Sequence, residues 1–277
     1  MVKVLIAGCG DVGTQLGVLL TQAGHQVTGL RRSLPKEPTF AYQAIDLSQD
    51  NSVAQLTGQF DYLVYLPTPD QHDEAGYRRV FVDGLKRLWQ HLKTQPKLFY
   101  VSSTSVYGQQ DGEWVDESSA TEPKRFSGKV LLEGEQFAQQ QSGTVVRFSG
   151  IYGPGRGRLL QKAQQLTEVQ STPPSYTNRI HRDDCARLLA FLIDQHLSGT
   201  SLQQIYLGSD DDPAPQHEVM SFLAELQHSP RPQLVSGPAD SRQNKRCSNK
   251  RIKALGFRFE YPTYKLGYPA LISHSSD

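Results

Sequence analysis

Three glycines near the start of the chain stand in the spacing G-x-G-x-x-G, within Gly8-Cys9-Gly10-Asp11-Val12-Gly13. Alone, the spacing describes any tight strand-to-helix turn. Its context says more. Val2 to Ala7 is a short apolar, β-branched run, as in a strand buried on both faces. Leu16, Leu19 and Leu20 then recur at helical spacing up to Gly24, placed as a glycine that ends a helix. In such a unit the first glycine permits the turn, the second lets an anion approach the backbone, and the third lets the helix pack on the strand. A helix N-terminus adds unsatisfied N–H groups and a positive dipole end. The chemistry on offer is the grip of a diphosphate by the backbone of Gly8, Gly10, Asp11, Val12 and Gly13.

About 20 residues later, a dinucleotide-binding unit selective for NAD places an acidic residue for the ribose 2′-hydroxyl. This chain has Leu30-Arg31-Arg32-Ser33 there. Guanidinium forks suit a 2′-phosphate, so Arg31 and Arg32 point to NADP(H) rather than NAD(H); the other reading is a solvated basic turn. Asp46, in Ile45-Asp46-Leu47, ends a third strand, where it either accepts from the adenine amino group or caps a turn.

These residues need a scaffold, and the remaining pattern supplies one. Gln26–Leu30, Tyr62–Leu66, Leu98–Val101 and Thr144–Phe148 read as strands, and the stripe from Tyr77 to Leu92 and the segment Lys129–Gln141 read as helices. Alternating strands and helices imply an α/β fold, a doubly wound parallel sheet of the Rossmann type. Past Gly150 the composition shifts to glycine, arginine and proline. The expected organisation is a dinucleotide-binding domain over 1–150, with 176–207 returning to it, and a smaller C-terminal substrate lobe over 151–277. The formal charge of +1, from 29 basic and 28 acidic residues, suggests neither nucleic acid nor an anionic membrane as partner. Three separated cysteines form no CxxC pair, so no zinc site or disulfide framework is expected. With no signal peptide or membrane-length apolar run, the expectation is a cytoplasmic protein.

Three further stretches carry a resemblance. They are Val101-Ser102-Ser103-Thr104-Ser105-Val106-Tyr107-Gly108, Arg147-Phe148-Ser149-Gly150-Ile151-Tyr152-Gly153-Pro154-Gly155-Arg156, and Ile180-His181-Arg182-Asp183-Asp184. With the glycine loop they run in the order of the extended short-chain dehydrogenase/reductases, the NAD-dependent epimerase/dehydratase group, which the chain resembles to about residue 195. The resemblance implies a C-terminal lobe closing over a small substrate, often a nucleotide-linked sugar. Ser103 matches the family's active-site hydroxyl, although it also fits strand-end turn chemistry. It further implies a homodimer through the two mid-chain helices.

The family's catalytic pair is a tyrosine followed four residues later by a lysine, which lowers the phenol's pKa and holds the cofactor ribose. In Arg125-Phe126-Ser127-Gly128-Lys129 the lysine is present and arginine stands in place of tyrosine. Arginine cannot act as that acid/base. The departures resemble the atypical, YeeZ-like members of the superfamily, as do Tyr206-Leu207-Gly208-Ser209-Asp210-Asp211-Asp212-Pro213 and Ser248-Asn249-Lys250-Arg251.

The expected site therefore comprises Ser103 and Lys129 for catalysis, with Lys129 also on the ribose, and Ser103, Arg125, Arg147 and Arg156 toward substrate. Any proton would move through Tyr107, Tyr152 or a water. His181 is either a site residue or the partner of Asp183 or Asp184. Two functions remain open: an NADP(H)-dependent oxidoreductase, epimerase or dehydratase, or a non-catalytic sensor of the NADP(H) redox ratio.

Overall fold

The computed structural model describes residues 1–238 and 244–273. Residues 239–243 and 274–277, within the expected C-terminal lobe, lie outside the described residues. The chain forms two compact units. The first comprises Met1–Val106, Glu122–Arg147 and Ala186–Tyr206; the second comprises Tyr107–Thr121, Phe148–Cys185 and the chain from Leu207 onward.

The first unit is organised around a seven-stranded sheet. Its elements are β1 (Lys3–Ala7), α1 (Asp11–Gln22), β2 (Gln26–Arg31), β3 (Ala41–Ala44), α2 (Asp50–Val53), β4 (Tyr62–Tyr65), α3 (Glu74–Arg78), α4 (Gly84–His91), β5 (Lys97–Ser103), α5 (Phe126–Gln140), β7 (Thr144–Phe148), α7 (Arg182–Leu197) and β12 (Ile205–Gly208). The strand order is β12-β7-β5-β4-β1-β2-β3. The pairs β3–β2, β2–β1, β1–β4 and β4–β5 are parallel. The chain winds outward from β1 in both directions, so the expected doubly wound Rossmann sheet is the one that forms, with its switch point between β1 and β4. Val4 to Ala7 and all of β4 are buried, because helices cover both faces and no strand needs a polar side. Leu85, Leu88 and Trp89 of α4 join Leu63, Tyr65, Leu98 and Tyr100 in one core cluster.

One ion pair is buried in this unit. Glu135 of α5 is 2% exposed and Arg147 of β7 is 3% exposed. Arg147 Nε donates to Glu135 Oε1 at 3.0 Å and Nη2 to Oε2 at 2.6 Å. Ser102 Oγ at the end of β5 adds a third hydrogen bond to Oε1 at 2.5 Å. Two buried charges are tolerable because each satisfies the other and the serine takes up a further lone pair. The pair fastens α5 to β7 and β5.

The second unit is assembled from short ladders. β6 (Glu113–Val115) pairs with β15 (Lys245–Cys247), β8 (Gly150–Tyr152) with β11 (Arg179–His181), β9 (Glu168–Thr172) with β14 (Gln233–Ser236), and β10 (Tyr176–Thr177) with β13 (Ala214–Pro215). Helices α6 (Arg158–Gln165), α8 (Gln216–Leu226), α9 (Lys250–Ala254) and α10 (Tyr264–Ser273) complete it. Tyr152, Val169, Met220, Leu223, Tyr264 and Tyr268 share its core. Arg179 is buried beside this core, its guanidinium 4.7 Å from the Tyr264 ring centre. Asp210 is buried as well; Oδ1 accepts from the Asp212 N–H at 3.2 Å, and Oδ2 has no protein partner. Burial raises the Asp210 carboxyl to about 8, against the opposing pull of Arg179.

Two outcomes follow. Glu135→Ala should destabilise the protein by about 3–5 kcal/mol in urea unfolding, since it strands a buried arginine, and Arg147→Met added to it should recover part of that loss. Asp210 takes up a proton on folding. Its stabilising contribution is therefore complete below the ordinary carboxyl range and is lost as pH rises through about 8. The Tm advantage of Asp210→Asn over the parent chain should grow from pH 5 to pH 8 (a window set by roughly these two pKa values); a constant difference would contradict the assignment.

Candidate functional site

In the parallel register Ala7 stands opposite Leu30 and Tyr65, and Arg31 opposite Ala44. The carboxyl ends of β1 to β5 therefore share one edge. Every first-unit residue singled out from the loops lies there: the glycine loop after β1, Arg32 after β2, Asp46 after β3, and Ser103 at the end of β5.

The glycine loop is built from three different constraints. Gly8 has φ +89°, and a Cβ on it would fall 2.3 Å from the Pro67 Cα. Neither condition admits a side chain. A Cβ on Gly13 would come within 3.1 Å of Ile6 Cγ2, which is the close approach of α1 to β1. Gly10 differs: it precedes α1 as its N-cap, offers no side-chain cap, and a Cβ there would meet nothing within 4 Å. The Gly8 and Cys9 N–H groups are tied to the Leu30 carbonyl at 3.3 and 3.0 Å. The loop is thereby pinned to β2, with an open backbone surface at Gly10 followed by the first turn of a 12-residue helix, Asp11, Val12 and Gly13. That surface fits a diphosphate. Cys9 is buried, and burial pushes its thiol up, so it packs rather than reacts.

At the ribose end, Arg31 is half-buried at the end of β2 and Arg32 is exposed. Arg32 forks onto Asp70, in the loop after β4. Asp46 is engaged locally: its Oδ1 accepts from the Ser48 N–H at 2.9 Å and from Ser48 Oγ at 2.7 Å. This turn leads into α2.

Ser103 is half-buried, and its Oγ accepts from the Ser105 N–H at 3.2 Å, the turn chemistry weighed above. Arg125 caps α5 with an extended backbone, and Lys129 follows one turn later; both are exposed. Arg147, expected to face substrate, has its fork closed on Glu135, so its charge serves the core. Arg156 lies in the second unit, half-buried, in the glycine-rich turn after β8.

The tyrosines offered as proton carriers are both buried. Tyr107 is fully enclosed. Tyr152 stacks on Tyr268 at 4.5 Å, its hydroxyl has no protein partner, and burial drives its pKa far above that of an ordinary phenol. With its hydroxyl enclosed and no protein group to pass a proton to, it does not serve as a proton carrier. His181 is buried between Tyr152 and Tyr261; its Nδ1 accepts from the Asp183 N–H at 3.2 Å, which places the proton on Nε2, and burial lowers its pKa. Asp184 accepts from the Glu260 and Tyr261 N–H groups at 2.9 and 2.8 Å.

The sequence reading missed one pair. Tyr77 of α3, taken as part of an apolar stripe, has its hydroxyl 3.2 Å from His72 Nδ1. Its ring packs edge-on against Phe126, the residue after Arg125, with centroids 5.4 Å apart. Burial raises the Tyr77 phenol, keeping it protonated at neutral pH. A polar tip on one member of a helical stripe was the available signal. Among the described residues, no cluster of three or more His, Cys, Asp or Glu side chains could hold a metal, and no helix is long and apolar enough to cross a membrane.

Known proteins place this arrangement. Residues 2–254 match the RmlD substrate binding domain family. The chain is 27% identical to protein YeeZ of Escherichia coli K12, over 95% of its own length and 97% of that protein's. A structure from Methylobacillus flagellatus, designated an NAD-dependent epimerase/dehydratase, superposes with a TM-score of 0.86 at 38% identity, covering 100% of this chain and 99% of that one. A conserved protein of unknown function from Silicibacter pomeroyi DSS superposes with a TM-score of 0.71 at 26% identity, covering 100% of both chains. With glycine loop, doubly wound sheet and family profile in agreement, the chain belongs to the RmlD substrate binding domain family, within the atypical branch of the short-chain dehydrogenase/reductase superfamily.

Proposed function

We propose that this protein binds a nicotinamide dinucleotide, NADP(H) in preference to NAD(H), and uses it as an oxidoreductase, epimerase or dehydratase on a small polar or nucleotide-sugar-like molecule. The observation that carries the reading is the open backbone at Gly10 ahead of α1, beside two arginines at the end of β2, a strand whose own turn has no acidic residue. Gly8 shapes the turn, Gly10, Asp11, Val12 and Gly13 present the loop and first helical turn to the diphosphate, Arg31 and Arg32 hold the 2′-phosphate, and Lys129 a ribose hydroxyl. Asp46 stands at the adenine end. Ser103 and Arg125 are the first-unit residues assigned to substrate. When bound, the nicotinamide supplies a hydride donor or acceptor.

The proton needs a group other than the missing tyrosine. Tyr77, protonated and hydrogen-bonded to His72, is assigned that place. The epimerase/dehydratase designation of the Methylobacillus relative supports the enzyme over the sensor. The balanced charge supports neither nucleic acid nor an anionic membrane as partner; the resemblance of the two mid-chain helices to the family's dimer helices supports a homodimer, and the protein is assigned to the cytoplasm.

Loop variants separate folding from binding. Gly10→Ala should leave the Tm of the free protein nearly unchanged, because its Cβ meets open space, yet weaken dinucleotide binding at least tenfold by calorimetry. Gly8→Ala should cost at least about 1–3 kcal/mol of stability, from strain alone. NADPH should raise the Tm more than NADH, and Arg31→Asp should reverse that order; no reversal would sink the 2′-phosphate assignment. Turnover can be found by screening nucleotide sugars and small carbonyl compounds for NADPH oxidation. Tyr77→Phe should then lower kcat by roughly a hundredfold with NADPH affinity retained; an unchanged kcat would remove Tyr77 from the reaction.

A further inference from the structure

We infer that Asp70 is a specificity-determining residue of the 2′-phosphate pocket, a carboxylate that holds Arg32 in the free protein and is exchanged for the phosphate when NADP(H) binds. This rests on the assignment of the two arginines to the 2′-phosphate.

The geometry comes from the sheet. Arg32 follows β2, Asp70 lies in the loop after β4, and these strands flank β1 on opposite sides. An ion pair between them reaches across the carboxyl end of β1, where the glycine loop begins. The β4 loop is fixed at its near end, with Pro67 against Gly8. Its far end is held to β2 by Asp70, whose two oxygens take the two terminal nitrogens of Arg32.

The pair is also weak. The side chains are 61% and 64% exposed, so water and salt compete for both partners. A planar guanidinium fork fits carboxylate and phosphate alike. A 2′-phosphate, with more negative charge and more acceptor oxygens than a carboxylate, displaces Asp70. A dinucleotide with a bare 2′-hydroxyl has nothing to offer Arg32 in exchange and leaves the pair closed. Asp70 therefore lowers the affinity for a 2′-phosphate, which must displace it from Arg32, and leaves the affinity for a 2′-hydroxyl nearly untouched.

The test is calorimetry with adenosine 2′,5′-bisphosphate and 5′-AMP on the parent chain, Asp70→Asn, Arg32→Ala and the double variant. Asp70 is exposed, so its replacement leaves the core untouched. Asp70→Asn should raise bisphosphate affinity roughly three- to tenfold at low salt, with a much smaller change for 5′-AMP. The gain should shrink in 0.5 M salt, about where screening reaches a few ångströms, and should vanish in the Arg32→Ala background. A gain that persists without Arg32 would mean a general charge effect and overturn the exchange. Weaker binding of both nucleotides in Asp70→Asn would make Asp70 a ribose ligand and also overturn it. Failure of the underlying reading looks different: the parent chain would bind both nucleotides equally, and Arg31→Asp would change neither.

Discussion

A glycine in a left-handed conformation, pressed against a proline, sets the geometry of the first unit. Gly8 turns the chain out of β1 and straight into α1, and the absence of its side chain lets Pro67 close in from the end of β4. That contact holds the start of α1 over the gap between β1 and β4. It is the place where a doubly wound sheet leaves its crevice, because the chain departs to one side for β2 and β3 and to the other for β4 and β5. The helix dipole and first-turn amides acquire a function only because the turn aims them there.

The rest of the carboxyl edge divides between scaffold and chemistry in an order that burial decides. Arg147 and Glu135 are enclosed together, so their charges cancel inside the core and fasten α5, the helix that carries Lys129. Arg125 and Lys129 are exposed and keep their charge for whatever approaches, whereas Arg32, also exposed, holds Asp70. Arg125 caps α5 at this edge, one turn ahead of Lys129. The Tyr77 ring of α3 packs against Phe126 at the start of the same helix.

Much of the first unit was legible because its physics is local. Six residues of strand, a glycine triplet and a leucine repeat specify β1, its turn and α1 with no long-range information. The lack of an acidic residue after Leu30 was equally plain. Arg147 could not be read in the same way: it follows a buried strand like a site residue, and only the fold shows that Glu135, 12 positions earlier, has closed on it. The tie between Arg32 and Asp70 spans 38 residues, and no spacing rule foretells it. The second unit gave the weakest signal. Its strands run from two to five residues, too short for periodicity to declare itself, and its order comes from buried tyrosines and from Asp184 capturing two distant amides.

The two units are interleaved in sequence. The chain passes between them after residues 106, 121, 147, 185 and 206. During synthesis, the nucleotide-binding sheet therefore lacks β12 at one end until residue 208 has left the ribosome. Until then β7 has an open edge, a template for pairing with other nascent chains. Cutting the gene after the first 150 codons would make that transient hazard permanent. The dinucleotide domain is a unit of structure here, but no single contiguous stretch of the sequence encodes it.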